Sequence, residues 1–197
     1  DLNFVVGSTL TASSVPVYEG LELGKVEDDP RPGVLGSGGP DIFGYTWRDS
    51  DAPGGPVFDW VDITGIGTGI TLPGTGDDVK VAGIPLGFSF PYYGASFSTV
   101  NVCSNGWLSF TNTTTDLSND PLPNTAAPEN LLAAFWDDLD PDITPIRLFR
   151  YSDGTRFILS YVGVPRFSTG GPYTFKVILY PSGRIVYQYL DMQGTRL

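Results

Sequence analysis

From Ile84 to Phe110 apolar side chains recur at every second position, and turn-forming residues break the pattern twice. Leu86, Phe88 and Phe90 alternate ahead of Pro91 and Gly94, and a second alternating run stops at Asn105-Gly106 before Trp107. Successive side chains of an extended chain point to opposite faces, so this period buries one face of a sheet. Asn-Gly supplies the positive φ angles that a two-residue hairpin needs. The stretch is therefore restricted to antiparallel strands joined by tight turns.

The same grammar extends over the remaining chain. Strands are expected at Ile42–Arg48, Val57–Ile63, Val79–Ala82, Leu86–Phe90, Ser98–Ser104, Trp107–Asn112, Leu131–Trp136, Arg147–Tyr151, Arg156–Tyr161, Tyr173–Tyr180 and Arg184–Leu190. Asp153-Gly154 and Ser182-Gly183 mark two further hairpins. The 25 Gly and 17 Pro among 197 residues punctuate short apolar runs without forming a repeat, and no window of helical period stands out. About ten antiparallel strands bury their apolar faces most readily as two packed sheets. The expected fold is an all-β, jelly-roll-like antiparallel β-sandwich with no substantial helix. Residues 1–40 read as peripheral strands (Asn3–Val6, Val15–Tyr18) and a Gly/Pro-rich linker, and residues 41–197 as the sandwich. The chain stops at Leu197 soon after a strand, as a piece of a longer protein would.

Charge and missing residue types narrow the function. The formal net charge is −11, and Lys25, Lys80 and Lys176 are the only lysines. A nucleic-acid partner is not expected, because phosphate binding needs a basic stripe. No apolar run is long enough to span a membrane, and no charged-then-apolar leader opens the chain. Histidine is absent, which excludes Ser-His-Asp and Cys-His catalysis and argues against catalytic zinc. Cys103 is the only cysteine, so no internal disulfide forms, and without nearby positive charge it reads as a small buried side chain.

Two candidate sites follow from residue type. Asp137, Asp138, Asp140 and Asp142 crowd one turn after an apolar strand, and Ca²⁺ takes several oxygen ligands from such loops. The spacing is not that of an EF-hand, and the plainer reading is a solvated acidic turn; Asp77-Asp78 offers a distant ligand. Tyr92, Tyr93, Trp47, Trp60 and Tyr173 are candidates for stacking on sugars, since flat rings cover apolar sugar faces. Trp107, Phe110, Phe135 and Trp136 read as core. Asp59, Asp62, Asp137 and Asp138 are conceivable glycosidase acids, although an acidic chain offers many accidental pairs. The patches in residues 1–20 suggest strand donation to another copy, with an ordinary edge strand as the plainer reading.

The segments GGPDIFGYTWRDSDAPGGPVFDWVDI, IPLGFSFPYYG, VNVCSNGWLSF, PLPNTAAPENLLAAFWDDLDP and YTFKVILYPSGRIVYQYLDM together carry a family likeness. Over about Gly38 to Met192 the chain resembles a module of large secreted bacterial proteins that accompanies subtilisin-like peptidases. It is also similar to the NIDO domain of nidogen-type matrix proteins. The resemblance implies a noncatalytic extracellular or cell-surface β-sandwich engaged in adhesion or attachment. Its expected partners are neighbouring domains, copies of itself, polysaccharide or matrix protein. It supplies no catalytic residue, no cofactor and no fixed ligand.

Overall fold

The computed structural model describes residues 36–120, 122, 125–168 and 170–192. The strand patches expected within residues 1–20 lie outside them. The chain divides into two compact units between Phe58 and Asp59.

In the first unit β1 (Ser37–Gly38) pairs antiparallel with β2 (Trp47–Arg48), Gly38 facing Trp47. The strand expected over Ile42–Arg48 is confined to its last two residues. Asp41 turns the chain instead: its carboxylate accepts the Phe43 N–H at 2.6 Å and its carbonyl the Gly44 N–H at 3.3 Å. Asp side chains favour such local turns over a ladder. After β2, the Asp49 carboxylate accepts the N–H groups of Gly36, Asp51 and Ala52 at 2.8, 2.9 and 3.0 Å. These bonds, Gly36 foremost, hold its pKa below the usual value.

The second unit is the sandwich. One sheet has the order β4-β5-β6-β7, with β4 at Lys80–Tyr92, β5 at Ala95–Cys103, β6 at Trp107–Ser109 and β7 at Leu131–Ala133. The other has the order β11-β10-β9-β8-β3, with β3 at Thr68–Gly69, β8 at Leu148–Ser152, β9 at Phe157–Val164, β10 at Tyr173–Leu179 and β11 at Ile185–Asp191. Every pairing is antiparallel, and the described residues contain no helix. The hairpins expected at Asn105-Gly106, Asp153-Gly154 and Ser182-Gly183 join β5 to β6, β8 to β9 and β10 to β11. The fold expectation is met. Among the described residues no helix is long and apolar enough to cross a membrane.

Three differences have identifiable physical causes. Lys80–Ala82 and Leu86–Phe90 belong to one strand, β4, because a register shift absorbs the break between them. At that shift the Asn101 side chain accepts the freed Gly83 N–H at 2.9 Å. Leu131–Trp136 pairs only through Ala133. Beyond it Phe135 donates its N–H to Gly106 O at 3.2 Å, and the Trp136 indole donates to Asp116 O at 3.1 Å. The third difference is the expected strand at Val57–Ile63, which forms no ladder. Residues 59–63 are instead held by side chains: Lys176 donates to Val61 O at 2.6 Å, and Gln188 to Asp59 O at 2.9 Å.

Aromatic residues fill the space between the sheets. Tyr161 stacks on Phe175 at 4.6 Å, and Phe135 meets Tyr173 and Phe175 edge-on at 4.9 and 5.6 Å. The Tyr161 hydroxyl crosses to Cys103 O at 2.7 Å, and Ser152 Oγ crosses to Leu86 O at 2.6 Å. Each fully buried ring or branched side chain stabilises the fold by about 1.5–3 kcal/mol. The five-stranded sheet is covered on its other face too, where Ile63 packs on Ile158, Ile178 and Val186. Its strands are therefore apolar on both sides, unlike the half-exposed β4.

Candidate functional site

Three loops of the second unit meet at Asn105. It is read from the sequence only as a turn residue, yet it is wholly buried. Its Nδ2 donates to Asp78 Oδ1 at 2.8 Å and to Thr115 O at 3.2 Å, while its Oδ1 accepts the Leu139 N–H at 3.0 Å. One amide thus ties together the loop before β4, the long loop after β6 and the acidic turn after β7. The next residue, Gly106, has φ of 78°, and a Cβ there would run into the Phe135 carbonyl oxygen. Only glycine fits that position without displacing backbone.

This junction brings Asp138 beside Asp77 and Asp78, with one carboxylate oxygen from each lying within 4.8 Å of the others. Oxygen ligands around a single Ca²⁺ sit about 2.3–2.6 Å from the ion, so they span up to about 5 Å. Asp77 Oδ1 is buried without a hydrogen-bond partner. Burial, then the charges of Asp78, Asp140 and Asp138, raise the Asp77 pKa. The four acids of the turn separate in role. Asp137 pairs with Arg166 at 3.1 Å, and its other oxygen accepts the Asp138 N–H at 2.8 Å. Asp140 N–H donates to Pro165 O at 3.0 Å, and its carboxylate accepts the Asp142 N–H at 3.3 Å. An isolated bridge between Leu139 and Arg166 fixes the turn against the segment after β9.

The aromatic candidates also separate. Tyr173 is fully buried, and Tyr92 is buried with its hydroxyl donating to Leu131 O at 2.8 Å. Tyr93 is 41% exposed and meets the Tyr92 ring edge-on at 4.6 Å. The Trp60 ring lies 3.5 Å from Lys176 Nζ. In the first unit, Trp47 lines an open cleft of about 520 Å³. Cys103 is buried, and burial pushes its thiol pKa up to about 12. Trp107, Phe110 and Trp136 are buried, and the Trp107 and Trp136 indoles both donate to Asp116 O, at 2.9 and 3.1 Å.

The second unit is thus an antiparallel sandwich in which three loops meet at an acidic corner. The family model described as NIDO related matches residues 59–196, and the chain belongs to that family. Such domains are generally noncatalytic and typically extracellular. No curated protein and no solved structure gives a significant match.

Proposed function

We propose that this chain is a noncatalytic attachment module of a secreted or surface-bound bacterial protein, fixing its parent or a neighbour to polysaccharide or matrix protein. The observation that carries the reading is the family match, which spans the whole described sandwich. Fold alone would not suffice, since one sandwich can host many functions. Loops gathered at one end of a rigid sandwich are also where binding usually resides.

The test exposes the purified chain to insoluble polysaccharides and matrix proteins, with glycoside and peptide turnover measured alongside. Saturable retention without turnover supports the reading. Turnover lost on changing Asp59, Asp62, Asp137 or Asp138 to Asn would replace it with a hydrolase.

A second reading concerns the acidic corner, where we infer that Asp77, Asp78 and Asp138 share a Ca²⁺ ion. It is favoured by the spacing of the three carboxylates and by the unpartnered Asp77 oxygen. The ion would neutralise the mutual repulsion and set the loops for attachment; it would not take part in chemistry. The remaining alternative, a self-assembling fibre subunit that donates residues 1–20, predicts an unfolding midpoint that rises with protein concentration.

A further inference from the structure

Five aromatic residues are the chain's sugar-stacking candidates, and Trp47 among them lines a cleft. The cleft is formed by Ser37, Gly38, Gly39, Thr46, Trp47, Arg48 and Gly54. At about 520 Å³ it falls inside the range of roughly 300–1,000 Å³ typical of small-molecule sites. Its form follows from the β1–β2 ribbon. Gly38 stands opposite Trp47, and a Cβ on Gly38 would collide with the indole nitrogen. The absent side chain lets the indole lie close over the neighbouring strand and leaves bare peptide beside it. Arg48 follows on β2, and its Nη1 donates to Gly54 O at 3.2 Å, which fixes the guanidinium at the cleft.

The lining has an unusual balance for this protein. The chain carries 22 acidic residues against 11 basic ones, yet the described residues that line the cleft include an arginine and no acid. The acid next in sequence, Asp49, is engaged by three backbone N–H groups. A flat indole suits the apolar face of a pyranose ring. A guanidinium offers paired donors for a carboxylate, and the Ser37 and Thr46 hydroxyls suit sugar hydroxyls.

We propose that the Trp47–Arg48 cleft binds a uronate-bearing saccharide, with Trp47 under the sugar ring and Arg48 on the carboxylate. The proposal rests on the attachment reading and names the chemistry of one attachment site.

The test uses the full chain, a galacturonate disaccharide and its uncharged galactose counterpart, followed through the indole N–H resonance of Trp47. That resonance is identified by its loss in Trp47→Phe. The expected result is a saturable shift with the uronate and at least about fivefold weaker binding of the neutral sugar. Arg48→Gln should bring the two affinities together, and Trp47→Ala should abolish both. If Trp47→Ala unfolds the ribbon, the Arg48→Gln comparison still decides. No saturable shift up to about 10 mM uronate, or equal affinity for both sugars, would overturn the proposal. Retention on matrix protein without uronate binding would remove the cleft and leave the attachment reading standing.

Discussion

At the Lys176 clasp one ammonium lies beneath residues 59–63; at the acidic corner three carboxylates meet beneath a buried amide. Lys176 is fully buried, but its Nζ has the Val61 carbonyl at 2.6 Å and the Trp60 ring at 3.5 Å. Asp62 and Asp59 favour its charge, while burial, the larger effect, and Arg156 disfavour it, bringing its pKa down to about 8. At the corner burial and like charge act in the same direction on Asp77. The clasp provides partners for its charge, whereas the corner concentrates charge of one sign and leaves an oxygen unpaired. A buried charge with partners serves to fix a segment, whereas like charges held together by a scaffold disfavour one another's ionised form.

The largest expected effect comes from removing the scaffold of the corner. Asn105→Ala leaves the Leu139 N–H buried without its acceptor and opens a small cavity. A loss of about 3 kcal/mol is expected, read by denaturant unfolding. Lys176→Ala should cost about 2 kcal/mol by releasing the strap, seen as faster amide exchange in residues 59–63. If Asn105→Ala proves the milder change, the corner is not held by that amide.

Asp77→Asn sharpens the comparison, because it should stabilise the calcium-free protein at pH 7, by about 0.5–1 kcal/mol. Between pH 3.8 and the raised Asp77 value the folded chain binds more protons than the unfolded one. Its contribution to stability therefore falls as pH rises through that window, and Asp77→Asn should remove this fall.

Lys176 has the opposite sign. Between pH 8 and the unfolded value of 10.5 an unfolded Lys176 holds more proton than the folded one, so its own contribution to stability rises with pH. Cys103 and the buried tyrosines act the other way there, because when unfolded they begin to lose protons that they keep when folded. The stability difference between wild type and Lys176→Met should therefore shift in favour of the wild type from pH 8 to 10, read by thermal unfolding. The smallest effect is at Cys103, whose buried thiol should not react with a disulfide reagent until the chain unfolds.

What could be read from the sequence was local. Asn105-Gly106, Asp153-Gly154 and Ser182-Gly183 specify hairpins through their own backbone preferences, and all three form. The Val57–Ile63 pattern resembled a strand, but the carbonyls of its second half are taken by Lys176 and Gln188 from distant strands. No local pattern encodes that pairing. The acidic turn was visible as a cluster, yet long-range topology decides that Asp138 joins Asp77 and Asp78 while Asp137 turns to Arg166. Asn105 was legible as a turn residue and hidden as the centre of the junction, because its backbone and side chain serve different ends.

The most direct test of a strained, cation-ready corner is the thermal midpoint of the wild-type chain and Asp77→Asn, each in EDTA and then in calcium. The variant should unfold at the higher temperature in EDTA, and calcium should raise the midpoint of the wild type but not of the variant. A variant less stable than wild type in EDTA would contradict it, since the carboxylates would then be supporting the fold instead of straining it. A wild type indifferent to calcium would remove the cation from the corner.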